Sequence, residues 1–138
     1  MREIKFRGKR IDNKEWVYGY LFLTTADTIS KEKLTPCIQV VDGTKYTTYK
    51  VHPESVGQFI GLEDKNGKEI YEGDVIKGMD DDLEVWGEYT VRYDGTIAMY
   101  TLINKKVNNP ILCFNGTLAH VEIIGNMPEE TNDEKHTK

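Results

Sequence analysis

Residues 56–76 constrain the fold more than any other part of the chain, because two turn signals alternate there with short apolar runs. Asp64 and Gly67 are the first and last of four residues that favour a tight hairpin, since glycine readily takes the left-handed backbone conformation. The triplet Glu72-Gly73-Asp74 predicts a second turn, and the β-branched pair after it begins a new strand. The stretch therefore predicts a strand, a hairpin and a corner, but it indicates no chemistry.

Similar signals recur along the chain and predict further hairpins. Apolar and polar residues alternate on both sides of turn-favouring residues in three segments, residues 4–23, 37–51 and 83–104. Residues 24–33 are polar, and we interpret them as a loop that Pro36 ends. Residues 105–110 are predicted to be a second loop. Helical periodicity is almost absent, so the pattern favours an all-β chain.

The number and spacing of these strands indicate a small antiparallel architecture. About eight to ten short strands with glycine-rich turns are typical of a barrel or sandwich. We predict one β domain over residues 1–126, with a small SH3-like or OB-like barrel in residues 56–126. Residues 1–55 would add N-terminal hairpins to it, with very little helix. Residues 127–138 are polar and charged, and we expect them to be disordered.

The segment VGQFIGLEDKNGKEIYEGDVI resembles the signature segment of the YopX family, small proteins encoded mainly by phages and prophages of Gram-positive bacteria. The opening MREIKFR, the triplet Val17-Tyr18-Gly19 and the closing VEIIGN are also similar to that family, so the resemblance covers nearly the whole chain. Where the typical member ends in Ile-Tyr-Glu-Asn, this chain has Met127-Pro128-Glu129-Glu130. The resemblance implies a mostly β fold and a phage-related origin. It implies no catalytic residues, because the family has no established activity.

The net charge of −5 over 138 residues is unevenly distributed. The first 14 residues hold six basic residues against two acidic ones, and the last 12 hold four acidic residues against two basic ones. The remainder of the chain is therefore strongly acidic. Because phosphate contacts dominate most nucleic-acid affinity, an acidic body disfavours nucleic acid as a partner, although a local basic patch is still compatible with it.

The two cysteines and the absence of long apolar runs indicate the compartment. Cys37 and Cys113 are far apart and have no metal-ligand spacing, so we expect reduced structural thiols; a single long-range disulfide is the alternative. No apolar run follows the basic opening residues, and no stretch is long enough to span a bilayer. We therefore expect the cytoplasm of the host cell and no membrane.

Residues with possible site chemistry have simpler structural interpretations. Residues 64–67 begin like a calcium loop, but that loop ends in a bidentate glutamate where this chain has Val75. The acidic run at residues 80–82 is interpreted as solvated, because ordering a loop around a cation costs conformational entropy. Neither of the two serines, Ser30 and Ser55, lies in a hydrolase elbow, although His52 is close to Ser55 in sequence. We expect no metal, no cofactor and no enzymatic activity.

The aromatic residues near the N-terminus have the most functional interest. Strand periodicity sets Trp16, Tyr18, Tyr20 and Phe22 on one side of a strand whose other side is also apolar. Two-sided strands in a small chain favour a protein-interaction or self-assembly module, in which another subunit or a host or phage protein covers one face. We therefore predict a homo-oligomer. Packing of the same rings in the core is the alternative that the pattern leaves open.

Binding of nucleic acid by a small barrel is the alternative function. Such barrels stack bases on exposed rings that lie beside basic residues. The opening segment supplies basic residues on a strand that is predicted to pair with the aromatic run: Arg2, Lys5, Arg7, Lys9 and Arg10. These five residues are the predicted nucleic-acid-binding residues.

Overall fold

A computed structural model of the chain describes residues 3–25, 34–80, 85–104, 107–112 and 121–126. Within these ranges the strands form two antiparallel sheets, which confirms the all-β class. The strands are β1 Phe6–Lys9, β2 Trp16–Thr25, β3 Leu34–Asp42, β4 Lys45–Lys50, β5 Gly57–Glu63, β6 Glu69–Tyr71, β7 Asp74–Asp80, β8 Val85–Asp94, β9 Met99–Asn104, β10 Val107–Leu112 and β11 Val121–Asn126. A short 3-10 helix, Pro53–Ser55, precedes β5. In these ranges we find no helix with the length and apolar character needed to cross a membrane.

The first of two compact units, Met1–Phe59, is built on an antiparallel meander. The strands lie side by side in the order β4-β3-β2-β1, and the start of β5 pairs with β1. Residues 11–13 form the turn between β1 and β2, and Gly43, with a φ of 62°, lies in the turn between β3 and β4. The two hairpins predicted in this part of the chain are therefore confirmed.

Strand alternation gives the sheet of the first unit a packed face and an opposite face. The packed face carries Ile38 and Val51, which are fully buried. A Cβ added to Gly8 would lie 2.8 Å from the Val51 side chain, and one added to Gly19 would overlap the carbonyl oxygen of Gln39. Glycine at these two strand positions therefore permits a close approach that a larger residue would prevent.

The residues that follow β1 pair with the residues at and just after the end of β4. Arg10 forms an isolated antiparallel bridge with Val51, and the N–H of Ile11 donates to the carbonyl of Lys50 at 3.0 Å. Pro36, predicted to end a loop, instead lies inside β3. Its carbonyl accepts the N–H of Val51 at 3.1 Å. Because the N–H and C=O of one strand residue point the same way, the missing N–H of this proline leaves the β2–β3 ladder intact.

The second unit, Ile60–Lys138, contains a sheet in the order β10-β9-β8-β7-β11, and the end of β5 lies beside β6. Among its described residues, one cluster of six buried side chains forms the core: Ile70, Ile76, Tyr89, Val91, Leu102 and Val121. The turns predicted at residues 64–67 and 72–74 are confirmed, and Gly67 and Gly73 have φ angles of 80° and 90°. The third predicted hairpin is present as β8 and β9, although its turn extends to residue 98.

Several details of the prediction were wrong. The described strands form two open sheets and not a closed barrel, because both sheets end in edge strands. Residues 107–110, predicted as a loop, belong to β10, which pairs with β9 across a register shift. Backbone pairing holds this polar segment in a strand without the alternation that would have revealed it. The predicted disordered tail and Cys113 lie outside the described residues.

Candidate functional site

Three cations lie in a row beside aromatic rings, two of them in β1 and one, Lys5, directly before it. Residues 5, 7 and 9 share one face because strand side chains alternate. The guanidinium of Arg7 lies 4.6 Å from the centre of the Trp16 ring, and Nζ of Lys9 lies 5.3 Å from the same centre. Nζ of Lys5 lies 5.6 Å from the centre of the Phe59 ring. These distances are those of cation–π contacts, which hold the cations close to the sheet.

A row of exposed rings follows along β2 on the same face. Tyr18 pairs with Arg7 across the ladder and therefore lies on its side of the sheet, while Tyr20 and Phe22 follow at two-residue steps. The exposed fractions of these three residues are 45%, 60% and 40%, in that order. Core packing, the alternative that the sequence left open, is therefore excluded for these rings in the described structure.

The same face continues across β3 to β4. Cys37 pairs with both Phe22 and Lys50, and Val41 pairs with Tyr46, whose ring is 68% exposed. Burial raises the pKa of the Cys37 thiol against the opposing effect of the Lys50 charge, so the thiol is protonated at neutral pH. We define the aromatic face as Lys5, Arg7, Lys9, Trp16, Tyr18, Tyr20, Phe22, Tyr46 and Lys50.

The aromatic face combines apolar area with positive charge. Every charged side chain that the described strands β1 to β4 place on it is a cation, because the acidic Asp42 falls on the other side. Arg7 is only 6% exposed, whereas Lys9 is half-buried and Lys50 is exposed. Lys5 is half-buried and lies 3.2 Å from the carboxylate of Glu3. Such a surface attracts carboxylates, and its rings can bury an apolar group.

Arg10, one of the five predicted nucleic-acid-binding residues, lies on the opposite side of the sheet from the aromatic face. The guanidinium of Arg10 lies 4.2 Å from the centre of the Tyr49 ring, on the side of Ile38, which pairs with Tyr49. It donates two hydrogen bonds to Asp12, from Nε at 2.9 Å and from Nη2 at 2.6 Å. These bonds lower the pKa of Asp12 and raise that of Arg10. Arg2 lies outside the described residues.

The neighbours His52 and Ser55 have a structural role. Ser55 is buried, and its Oγ accepts a hydrogen bond from the N–H of Lys9 at 2.7 Å. The same hydroxyl donates to the carbonyl of His52 at 2.6 Å. Its proton is therefore held by a backbone carbonyl and not by a base, which is unlike the arrangement of an activated nucleophile. These bonds connect the 3-10 helix to β1.

Asp64 organises the first hairpin of the second unit. Its Oδ1 accepts the N–H groups of Asn66 at 2.8 Å and Lys68 at 2.9 Å, and its Oδ2 accepts the N–H of Ile123 at 3.2 Å. Burial alone would raise the pKa of this carboxyl, but the backbone donors of Lys68, Ile123 and Asn66 outweigh burial and lower it. The oxygens of this calcium-like turn are thus occupied by N–H groups. Among the described residues no cluster of three or more His, Cys, Asp or Glu could hold a metal.

The contribution of β4 to the aromatic face was not predicted from the sequence. A signal was available, because the turn at Asp42-Gly43 fixes the register in which Val41 opposes Tyr46. Counting four residues further along β4, which is two alternation steps, places Lys50 on the same side. The register between β2 and β3 had no comparable signal, since the connection between these strands carries no recognisable turn motif.

Comparison with known proteins identifies the family. A family model described as YopX protein matches residues 5–132. The chain belongs to the YopX family. The family resemblance predicted from residues 56–76 and from the two ends of the sequence is therefore confirmed. Among solved structures, this YopX-family chain is similar to protein EF1440 from Enterococcus faecalis, with a TM-score of 0.50 and 19% identity over 95% of this chain and 97% of that chain. At this identity the likeness shows the fold alone. No curated protein matches the chain.

Proposed function

We propose that this YopX-family chain is a non-enzymatic protein-interaction module of phage origin that works in the host cytoplasm. Its aromatic face would bind a protein surface in which carboxylates lie among apolar side chains. The observation that supports this function best is the row of Tyr18, Tyr20 and Phe22, which are exposed beside cations on one face of a sheet. Contiguous exposed apolar area of this kind marks interaction sites in soluble proteins.

The residue types of the aromatic face suit a protein partner. Tyrosine, tryptophan and arginine are enriched at protein interfaces, because an aromatic ring buries a large area while a phenol hydroxyl stays hydrated. The β-sheet holds Tyr18 and Tyr20 at fixed spacing, and few rotatable bonds need to be ordered when a partner binds. Trp16 is already held by Arg7 and Lys9. The face is thus pre-organised for a partner.

Charge complementarity specifies the chemistry of the partner. Lys9 and Lys50 are cations at opposite sides of the exposed rings. Lys5, just before β1, is paired with Glu3. A second copy of the chain would place like charges against like charges if the two aromatic faces met. An acidic partner surface gains attraction from the same cations and associates faster at low salt.

Single-stranded nucleic acid is the second candidate, because exposed rings lie beside Lys5 and Lys9 on the aromatic face. The placement of the arginines favours a protein instead. Arg7 is almost fully buried against Trp16, and Arg10 lies on the other side of the sheet with Asp12. Both are therefore poorly placed to contact the phosphates of a strand that crosses this face.

Peptide selection tests the proposal. Random peptides displayed on a carrier are selected on the immobilised full chain, and the winners are measured by fluorescence anisotropy. We expect them to be rich in Asp and Glu between aromatic or aliphatic residues. Tyr20→Ala should weaken their binding about tenfold or more, since central aromatic residues dominate interface energy. Lys9→Glu should weaken it as well, whereas Tyr93→Ala, at an exposed ring of the second unit, should not.

The same assay includes outcomes that contradict the proposal. Peptides without acidic enrichment, or binding that survives both Tyr20→Ala and Lys9→Glu, would show that the aromatic face is not the site. A labelled single-stranded oligonucleotide is measured in parallel. If it binds in a salt-sensitive way that Tyr20→Ala removes, while no peptide does, the second candidate function replaces the first.

A further inference from the structure

The strand β4 is an open edge of its sheet. It lies at one end of the strand order, and no other described strand covers its outer side. Residues 45–48 are exposed, and among the described residues only its end is covered, where Ile11 donates to the carbonyl of Lys50. An exposed edge presents backbone groups that readily pair with another strand. The edge is rich in Thr and Tyr, which favour strands.

The backbone groups on the open side can be assigned from two hydrogen bonds. The N–H of Val51 points to Pro36 of β3, whereas the carbonyl of Lys50 points outward to Ile11. Because the direction alternates along a strand, Tyr46 and Thr48 also point outward, each with one N–H and one C=O. Thr47 and Tyr49 direct their backbone groups toward β3. The open edge therefore offers four backbone groups at Tyr46 and Thr48.

We propose that a second copy of this chain pairs with β4 along this edge, antiparallel and about a two-fold axis at Thr47. In this register Tyr46 of each copy lies opposite Thr48 of the other, and the two pairs exchange four backbone hydrogen bonds. Thr47 then lies opposite its own counterpart. Thr–Thr and Tyr–Thr pairs are favourable cross-strand neighbours.

The sequence of β4 favours a second copy as the occupant. About an axis at Thr47, the strand Lys-Tyr-Thr-Thr-Tyr-Lys pairs with its own copy so that each lysine lies opposite an uncharged residue and no like charges are opposed. In an antiparallel ladder, two opposed residues must both direct their backbone N–H and C=O toward the partner strand or both away from it. Lys50 points outward and Lys45 points toward β3, so these two residues cannot be opposed. With the axis at Thr47, Lys45 faces Tyr49 instead. A register centred on Thr48 would need the carbonyl of Lys50, which Ile11 already occupies.

The pairing would join two sheets into one. Residues opposite each other in a ladder point to the same side, so the aromatic faces of the two copies lie on one side of the continuous sheet. Tyr46 and Lys50 of both copies would then lie near the centre of a double-width aromatic face. This inference goes beyond the proposed function, because it requires no other protein.

Cysteine capture tests the register. Thr47→Cys is made with Cys113→Ser, while the buried Cys37 is kept. Opposed residues of this kind have Cα atoms about 4.5 Å apart, which is within the range of a disulfide. We expect mild oxidation to convert most of the protein to a covalent dimer. Tyr46→Cys is the control, because its two copies would be diagonal, at about 7–8 Å, and should link poorly. Equal linkage at both positions, or none at Thr47→Cys, would overturn the proposal.

Light scattering after size exclusion gives an independent test. The unmodified chain should have twice the mass of one chain at micromolar concentration. Thr48→Pro removes an outward N–H and leaves the β3–β4 ladder unchanged, so it should give a folded monomer with an unaltered β circular dichroism spectrum. An unmodified chain that is monomeric at 100 μM would contradict the proposal, as would a dimer that survives Thr48→Pro. If the chain is monomeric but the selected peptides still bind the aromatic face, the pairing at β4 is wrong and the proposed function stands. If the chain is dimeric but no peptide binds, the proposed function is wrong and the pairing stands.

Discussion

Replacing Asp64 with alanine is expected to lower the free energy of unfolding by about 3 kcal/mol, because three backbone N–H groups lose a charged acceptor. Two of them, in Asn66 and Lys68, hold the hairpin, and the third, in Ile123, holds the closing strand β11. The carboxylate is buried, so water cannot readily replace it. Denaturant unfolding measures the loss. A change below about 0.5 kcal/mol, as is usual for surface substitutions, would show that these bonds contribute little.

The variant Asp64→Asn separates the two hydrogen bonds within the hairpin from the hydrogen bond to Ile123 in β11. Its side-chain oxygen can still accept from Asn66 and Lys68, but its NH2 group would face the N–H of Ile123. We expect an intermediate loss of stability and faster hydrogen exchange at Ile123, with the turn amides still protected. Equal exchange at all three amides in both variants would contradict this division of roles.

The stability that Asp64 provides should depend on pH. Its carboxyl has a lowered pKa in the folded chain, so the folded state favours the charged form. The contribution is therefore fully present above the unfolded pKa of about 3.9 and is lost as the pH falls through the folded value. The difference in unfolding free energy between the unmodified chain and Asp64→Asn should be constant from pH 7 to pH 5 and shrink below pH 4. A difference that grows with acidity would contradict the assignment.

Replacing Gly19 with alanine is expected to destabilise the first unit by about 3 kcal/mol, because the new methyl group would overlap the carbonyl oxygen of Gln39. That oxygen belongs to the backbone of β3, so relief requires the β2–β3 ladder to open. Tyr20 pairs with Gln39, and the aromatic face should be distorted with it. Thermal unfolding and binding of the selected peptides measure the two effects.

Two other glycines serve as matched controls for Gly19→Ala. Gly95 lies in an exposed turn with no atom within 4 Å of an added Cβ, so Gly95→Ala should change stability by less than about 0.5 kcal/mol. Gly43 is equally open but has a φ of 62°, and its replacement should cost about 1 kcal/mol through backbone strain alone. A loss at Gly19 no larger than the loss at Gly43 would mean that the strands separate easily.

Local turn chemistry made much of the fold predictable. Asp42-Gly43, Asp64 with Gly67, and Gly73 each specify a tight turn through the conformations that their own residues prefer, and the hairpins around them were predicted correctly. The strand β10 was missed because pairing with β9 holds it, and its own residues do not alternate. The prediction of a closed barrel was wrong. Whether a strand lies at the edge of a sheet depends on pairing between strands that are distant in sequence, and local turn residues do not specify that pairing.

The candidate site was only partly predictable for the same reason. Periodicity along β2 placed Tyr18, Tyr20 and Phe22 on one side, and the structure exposes them together. Periodicity alone could not distinguish an exposed row from a core row, since both have a two-residue step. Nor could it show that Arg7 would be buried, although the same two-residue step does place Arg10 on the face opposite Arg7. Asp64 was read as a turn residue, and its bond to Ile123, 59 residues away, has no sequence signal.

Photo-crosslinking in bacterial cells, the proposed host, tests the aromatic face most directly as a protein-binding site. Benzoylphenylalanine is placed at Tyr20 and, as the control, at Tyr93, a ring of similar exposure in the second unit. We predict a discrete protein adduct at position 20 that is absent at position 93 and disappears when Lys5 and Lys9 are both changed to glutamate. No adduct at position 20, an adduct indifferent to these charges, or a nuclease-sensitive adduct would contradict binding of an acidic protein partner.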